Sequence, residues 1–157
     1  MSNRLENEHA VTQQLRIIFK AIQAHSKQVE KNCGLSSVRL WMLYEIDNAD
    51  GIKVSELAER LSIHRSTCSN LLDKLEDRNL IYRNRSKSDQ RAVRLYLTDE
   101  GKAILAQAPS PPEGKLSSSL NKLSQQQLDE LHQTLAILVD ALQFDDEKAA
   151  LTPIQTP

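Results

Sequence analysis

Within residues 53–97 the hydrophobic period changes from helical to alternating, and few small folds accommodate that change in so short a span. Leu57, Ala58 and Leu61 lie at helical spacing, and Ser55 is the expected cap of their helix, with Glu56 and Glu59 placing negative charge in its first turn. Ser62, Ile63 and His64 form a short polar-apolar-polar break. A second helix is predicted over 65–78, with Cys68, Leu71, Leu72 and Leu75 in one stripe that should be buried. Asn79, a residue that tolerates the left-handed cap conformation, stands where this helix must end. Residues 81–85 then read as a strand, and Val93, Leu95 and Leu97 alternate with Arg94 and Tyr96 as a second strand with one buried face.

Two short helices followed by a hairpin with a basic tip is the plan of a winged helix-turn-helix. Opposite the buried stripe of the second helix lie Ser66, Asn70 and Asp73, flanked by Thr67, Ser69 and Lys74. Small hydroxyls and an amide approach base edges closely: Ser and Thr read either base, and Asn pairs bidentately with adenine. Ser66, Thr67, Ser69, Asn70 and Lys74 are therefore the candidate major-groove residues. His64 and Arg65 at the helix start, with Arg85 on the hairpin, suit phosphates, which position a protein without reading sequence. Residues 86–91 lack any apolar anchor and should project as the wing tip. Lys87, Asp89, Arg91 and Arg94 are its candidate contacts. Arg91 suits an A·T-rich minor groove, and Asp89 suits orienting a guanidinium. From 53 to 94 the chain holds ten Lys and Arg against six acids, a net of +4 in a chain of net −1, which leaves −5 elsewhere. The positive charge is confined to one surface, as expected for a polyanion-binding face on a neutral body.

The run Asp89-Gln90-Arg91-Ala92-Val93-Arg94-Leu95-Tyr96-Leu97-Thr98-Asp99-Glu100-Gly101 resembles the wing signature of the MarR family of transcriptional regulators, an Asp-x-Arg tip leading to Leu-Thr-x-x-Gly. Residues 54–61 and 72–81 resemble two other stretches common in that family. Asn79 departs from the family's usual Gly, and Cys68 stands where an aliphatic residue is more usual. The resemblance implies a dimeric DNA-binding regulator, most often a repressor, that reads a pseudopalindromic operator in double-stranded DNA. It also implies relief by a small aromatic or phenolic ligand, or by an oxidant acting on cysteine, at the junction of winged and dimerisation parts. That junction is expected to be lined by Ile22, His25, Trp41 and Tyr44, with Arg39 available for a carboxylate.

Outside the winged stretch, Val11, Leu15, Ile18 and Ile22 repeat at spacings of four and three, predicting a long first helix stopped by Gly34. Leu40, Leu43 and Ile46 form the buried face of the next helix, capped by Ser36 or Ser37, and residues 52–54 are a candidate strand for the wing sheet. Thr98 should cap a helix that runs to Ala108 and is broken by Pro109, Pro111 and Pro112. Ser124 and Gln127 fit a capping box ahead of Leu128, Leu131, Leu135, Leu138 and Leu142. The small winged part cannot cover both terminal stripes. Val11, Leu15, Ile18, Leu128, Leu131, Leu135 and Leu138 are therefore the candidate homodimer contacts, against the alternative of an intramolecular hairpin. The expected division is a dimerisation helix in 1–34, the winged module in 35–100, C-terminal dimerisation helices in 101–144 and a frayed tail in 145–157.

The fold class expected is mainly α with a small antiparallel β wing. No apolar run approaches the roughly 18 residues of a membrane span, and the polar N-terminus lacks a signal-peptide pattern, so a cytoplasmic protein is expected. Two cysteines and four histidines show no metal-ligand spacing, and no cofactor is expected. No nucleophile–base set, glycine-rich phosphate loop or paired acids point to an enzyme. Two other readings stay open at this point. One is a winged module that docks a protein and does not bind DNA, a possibility that Asp73 and Asp77 on the recognition helix leave open. The other is a thiol-based sensor, with Cys33 at a helix end as the exposed thiol and Cys68 as a small core residue.

Overall fold

A computed structural model describes residues 2–85, 92–144 and 146–154. In chain order the elements are α1 (Ser2–Cys33), α2 (Ser37–Asp47), β1 (Ile52–Lys53), α3 (Val54–Leu61), α4 (Arg65–Asp77), β2 (Ile81–Arg85), β3 (Val93–Leu97), α5 (Asp99–Gln107), α6 (Lys115–Leu120) and α7 (Gln125–Leu142), then a 3-10 turn at Ala149–Leu151. The fold is the mainly helical winged architecture that the change of period predicts.

The core sits in the winged module. Leu40, Leu43 and Ile46 of α2, Leu57 and Leu61 of α3, Leu72 and Leu75 of α4, and Leu95 of β3 are all buried in it. Leu71, expected in the buried stripe of α4, is only half-buried, because it lies at the edge of that stripe and packs against the core from the side. The three strands are antiparallel with β3 between β1 and β2, so that Ile52 faces Leu95 and Ile81 faces Leu97. Leu95 and Leu97 are buried on one face of β3, and Tyr96 on the other stacks against Tyr82 with ring centroids 5.5 Å apart.

Helix ends follow local chemistry, with two adjustments. Lys53, not Ser55, is the residue before α3: β1 runs straight into the helix, and the Lys53 N–H donates to Glu56 Oε2 at 3.0 Å, leaving Ser55 inside the first turn. Ser36 occupies the cap position of α2 in extended conformation but makes no side-chain cap bond, and Ser37 Oγ instead bonds Ser26 Oγ on α1 at 2.9 Å. Gly34 ends α1 at φ +63°, a left-handed conformation that glycine adopts without a Cβ clash. Asn79 closes α4 in the same region at φ +56°.

Thr98 joins wing to helix by two bonds: its hydroxyl accepts from the Gly101 N–H at 3.0 Å and donates to the Asn79 carbonyl at 2.7 Å. A Cβ at Gly101 would run into the Leu80 carbonyl oxygen, which accounts for the Leu-Thr-x-x-Gly spacing. Gly101→Ala is expected to destabilise the fold by about 3 kcal/mol, the upper range for forced overpacking. For a chain of this length that lowers the melting midpoint by roughly 6–12 °C by circular dichroism.

The proline-rich stretch separates α5 from α6, as predicted. Ser124 and Gln127 form the expected capping box of α7, with the Ser124 N–H donating to Gln127 Oε1 at 2.9 Å. No residue of α7 is buried. Leu128, Leu135 and Leu138 are exposed, Leu131 is half-buried, and Val11, Leu15 and Ile18 on α1 are exposed in the same way. Within the tail expected at 145–157, the described residues 146–154 turn back, and the His64 N–H donates to the Leu151 carbonyl at 3.1 Å.

Candidate nucleic-acid interface

The open face of α4 carries the polar residues that helical arithmetic assigns to it. Ser66, Asn70, Asp73 and Lys74 are exposed, Thr67 and Ser69 are half-buried, and Cys68 and Leu72 face the core. Arg65 at the helix start and Arg85 at the end of β2 are also exposed. Lys87, Asp89 and Arg91 lie outside the described residues.

Two candidates are placed differently from expectation. Arg94 is half-buried, and its Nη1 donates to the Gly51 carbonyl at 2.8 Å. Pairing β1 with β3 brings that carbonyl under the side chain, so Arg94 fastens the turn before β1 and is not free on the wing. His64 sits at the cap of α4 with its ring turned inward: Nε2 is buried with no hydrogen-bond partner among the described residues.

Sequence reasoning missed Arg83. Its guanidinium bridges Asp73 Oδ1 at 2.8 Å and Glu76 Oε2 at 2.7 Å, linking the middle of β2 to two carboxylates of α4. The Asp73 charge that left a protein-docking surface open is thereby paired. The available signal was the spacing of Asp73 and Glu76, three apart on one helix side, with an arginine on the strand that follows. Two further links hold the module. Arg78 Nη1 donates to the Gly34 carbonyl at 2.7 Å, joining the end of α4 to the end of α1. Glu45 takes Arg60 at 2.9 Å and the Trp41 indole N–H at 3.1 Å, joining α2 to α3.

Both thiols are buried. Cys33 is buried, not exposed, since the chain folds back from Gly34 into the core, and burial raises its pKa. Burial pushes the Cys68 thiol up to about 11 despite the nearby Arg83 cation. A thiol held protonated is a poor nucleophile toward oxidants.

The junction residues divide among separate hollows. Ile22, His25 and Trp41 line one cavity of about 340 Å³, closed by Ile63, Lys115 and Pro153. Tyr44 opens onto a neighbouring hollow that shares Trp41, and Arg39 onto a groove beside α4. Lys115, supplied by α6, lines the His25 cavity together with Glu113, whereas Arg39 lines the other groove. His25 is buried, and among the described residues neither ring nitrogen has a well-formed hydrogen bond. Desolvation, then Lys115, lowers its pKa below 6.5, while Glu113 and the Pro111 carbonyl act in the opposite sense. The unfolded chain takes up a proton that the folded ring resists, so stability is expected to fall as pH drops through 6.5. Urea midpoints at pH 7.5 and pH 5 measure this, and His25→Phe should flatten that part of the difference.

The fold defines a winged helix-turn-helix protein with an open recognition helix. A family model for the MarR family matches residues 35–93, which span α2 to the start of β3. The HTH-type transcriptional repressor MdtR of Bacillus subtilis is 27% identical over 134 residues, covering 85% of this chain and 86% of that one. The HTH-type transcriptional regulator MgrA of Staphylococcus aureus is 30% identical over 124 residues, covering 79% and 82%. The crystal structure of Sco3205, a MarR family transcriptional regulator from Streptomyces coelicolor in complex with DNA, superposes with a TM-score of 0.60 at 22% identity, over 90% of this chain and 95% of that one. The chain belongs to the MarR family of transcriptional regulators. These relatives are regulators, not enzymes, and among the described residues no helix is long and apolar enough to cross a membrane.

Proposed function

We propose that the protein is a homodimeric repressor that reads a pseudopalindromic operator with two copies of α4 and is released by a small aromatic acid. The open α4 face carries the reading: Ser66, Asn70 and Lys74 stand free while Arg83 holds the neighbouring carboxylates. Ser66, Thr67, Ser69, Asn70 and Lys74 are assigned to the major groove and Arg65 and Arg85 to phosphates, with Lys87 and Arg91 as wing contacts and Asp89 orienting them. Residues 1–34 and 101–144 supply the dimer contacts through the uncovered stripes of α1 and α7. Two modules about one DNA turn apart, roughly 34 Å, then read both half-sites. The DNA complex of Sco3205 supports the ligand class, and the repressor MdtR supports the sign of regulation.

The release site is the cavity at His25 and Trp41, where Lys115 meets a carboxylate and apolar walls take the ring. An acid that binds one separation of the modules better shifts the equilibrium by its differential affinity, and a 100-fold change needs about 2.7 kcal/mol. Trp41 is the single tryptophan of the chain, so its fluorescence reports directly. Fluorescence anisotropy on genomic fragments selected by the protein should give steeply salt-dependent binding that weakens as phenolic acids quench Trp41. Salt-insensitive binding, or quenching without loss of DNA, removes the respective half of the reading.

A further inference from the structure

We propose that residues 149–154 form an autoinhibitory strap that competes with DNA phosphate for the start of α4. The carbonyl of Leu151 accepts the backbone N–H of His64, the residue that caps α4. Amide N–H groups around the start of a recognition helix are the donors that a phosphate accepts, and one amide cannot serve both. Beyond that bond, Pro153 and Ile154 lie in the groove beside α4 that Thr67, Leu71 and Lys74 help to line, and Pro153 also closes the His25 cavity. The strap thus occupies one flank of the surface assigned to DNA.

The seat is shallow. Pro153 is half-buried, whereas Leu151 is 39% and Ile154 58% exposed. Such a segment can be lifted by an operator that offers more contacts. The apparent DNA affinity is then scaled by the fraction of molecules in which the strap is lifted. Because Pro153 touches both hollows, lifting also opens the cavity at His25, which ties strap position to ligand access.

This inference rests on the DNA-binding reading above, and its test separates the two. In the full chain, Pro153→Ser with Ile154→Ser removes the apolar seat without adding charge. The variant should bind a selected genomic fragment about three- to tenfold more tightly by anisotropy, as expected when a mostly seated competitor is released. Amide hydrogen exchange at His64, measured without DNA, should accelerate while the urea midpoint stays within error. A synthetic peptide of residues 146–157 should push the variant's affinity back toward that of the parent. Equal or weaker DNA binding by the variant overturns the strap, whatever the exchange rate, and leaves the DNA-binding reading standing. Failure of both proteins to bind any duplex removes both.

Discussion

Leu135→Asp is expected to leave each chain folded, to yield a monomer at micromolar concentration, and to weaken operator binding at least ~100-fold, the scale of avidity from two linked sites. The argument rests on where Leu135 sits. It is 41% exposed in the single chain, on a stripe whose Leu128 and Leu138 are also exposed and whose Leu131 is half-buried. A carboxylate there meets solvent in a lone chain, so folding should change by no more than about 0.5 kcal/mol. In the proposed bundle the same carboxylate is desolvated among leucines, a cost that pairing does not survive. Sedimentation velocity reads the assembly and anisotropy reads the DNA. A Leu135→Asp protein that still sediments as a dimer with parental affinity rules out α7 as the seam.

Arg83→Ala carries the second large effect, and it separates function from stability. The guanidinium is 27% exposed and its partners Asp73 and Glu76 are 57% and 40% exposed, so the pairs contribute at most about 1 kcal/mol to folding. Removing the cation leaves two carboxylates unpaired on the helix proposed to enter the major groove, between two phosphate backbones. A loss of about 1.4 kcal/mol at each half-site is tenfold, and two half-sites give roughly 100-fold weaker binding with little change in melting temperature. Adding Asp73→Asn to Arg83→Ala should recover part of the loss by removing one of those charges. If Arg83→Ala binds DNA as the parent does, the bridge is not a determinant of the interface.

The winged module was legible because its signals are local. Period 3.6 followed by period 2, a polar break at Ser62–His64 and an Asn at the helix end fix its order within fifty residues, and the open face of α4 follows from geometry alone. What escaped depends on partners distant in sequence. Arg94 looked free on an alternating strand until β1 brought the Gly51 carbonyl, 43 residues away, beneath it. Cys33 looked exposed at a helix end, but the turn at Gly34 folds it into the core. Arg39, expected at the junction cavity, opens onto another side of α2, and Lys115 lines that cavity because α6, set apart by the prolines, reaches it. The tail carried no periodic pattern, and the bond that anchors its described residues to α4 is between backbone atoms, which side-chain identity does not encode.

The bond from Arg78 to the Gly34 carbonyl gives α1 a grip on the far end of α4. In the proposed dimer, a long rod clamped at its tip to the reading element would act as a crank: swinging the two rods apart would tilt both reading elements, not merely change their spacing. Substituting the clamp with Lys, which lacks the planar fork, would therefore introduce play between the two motions, and ligand release would lose steepness before the unliganded grip on DNA weakened.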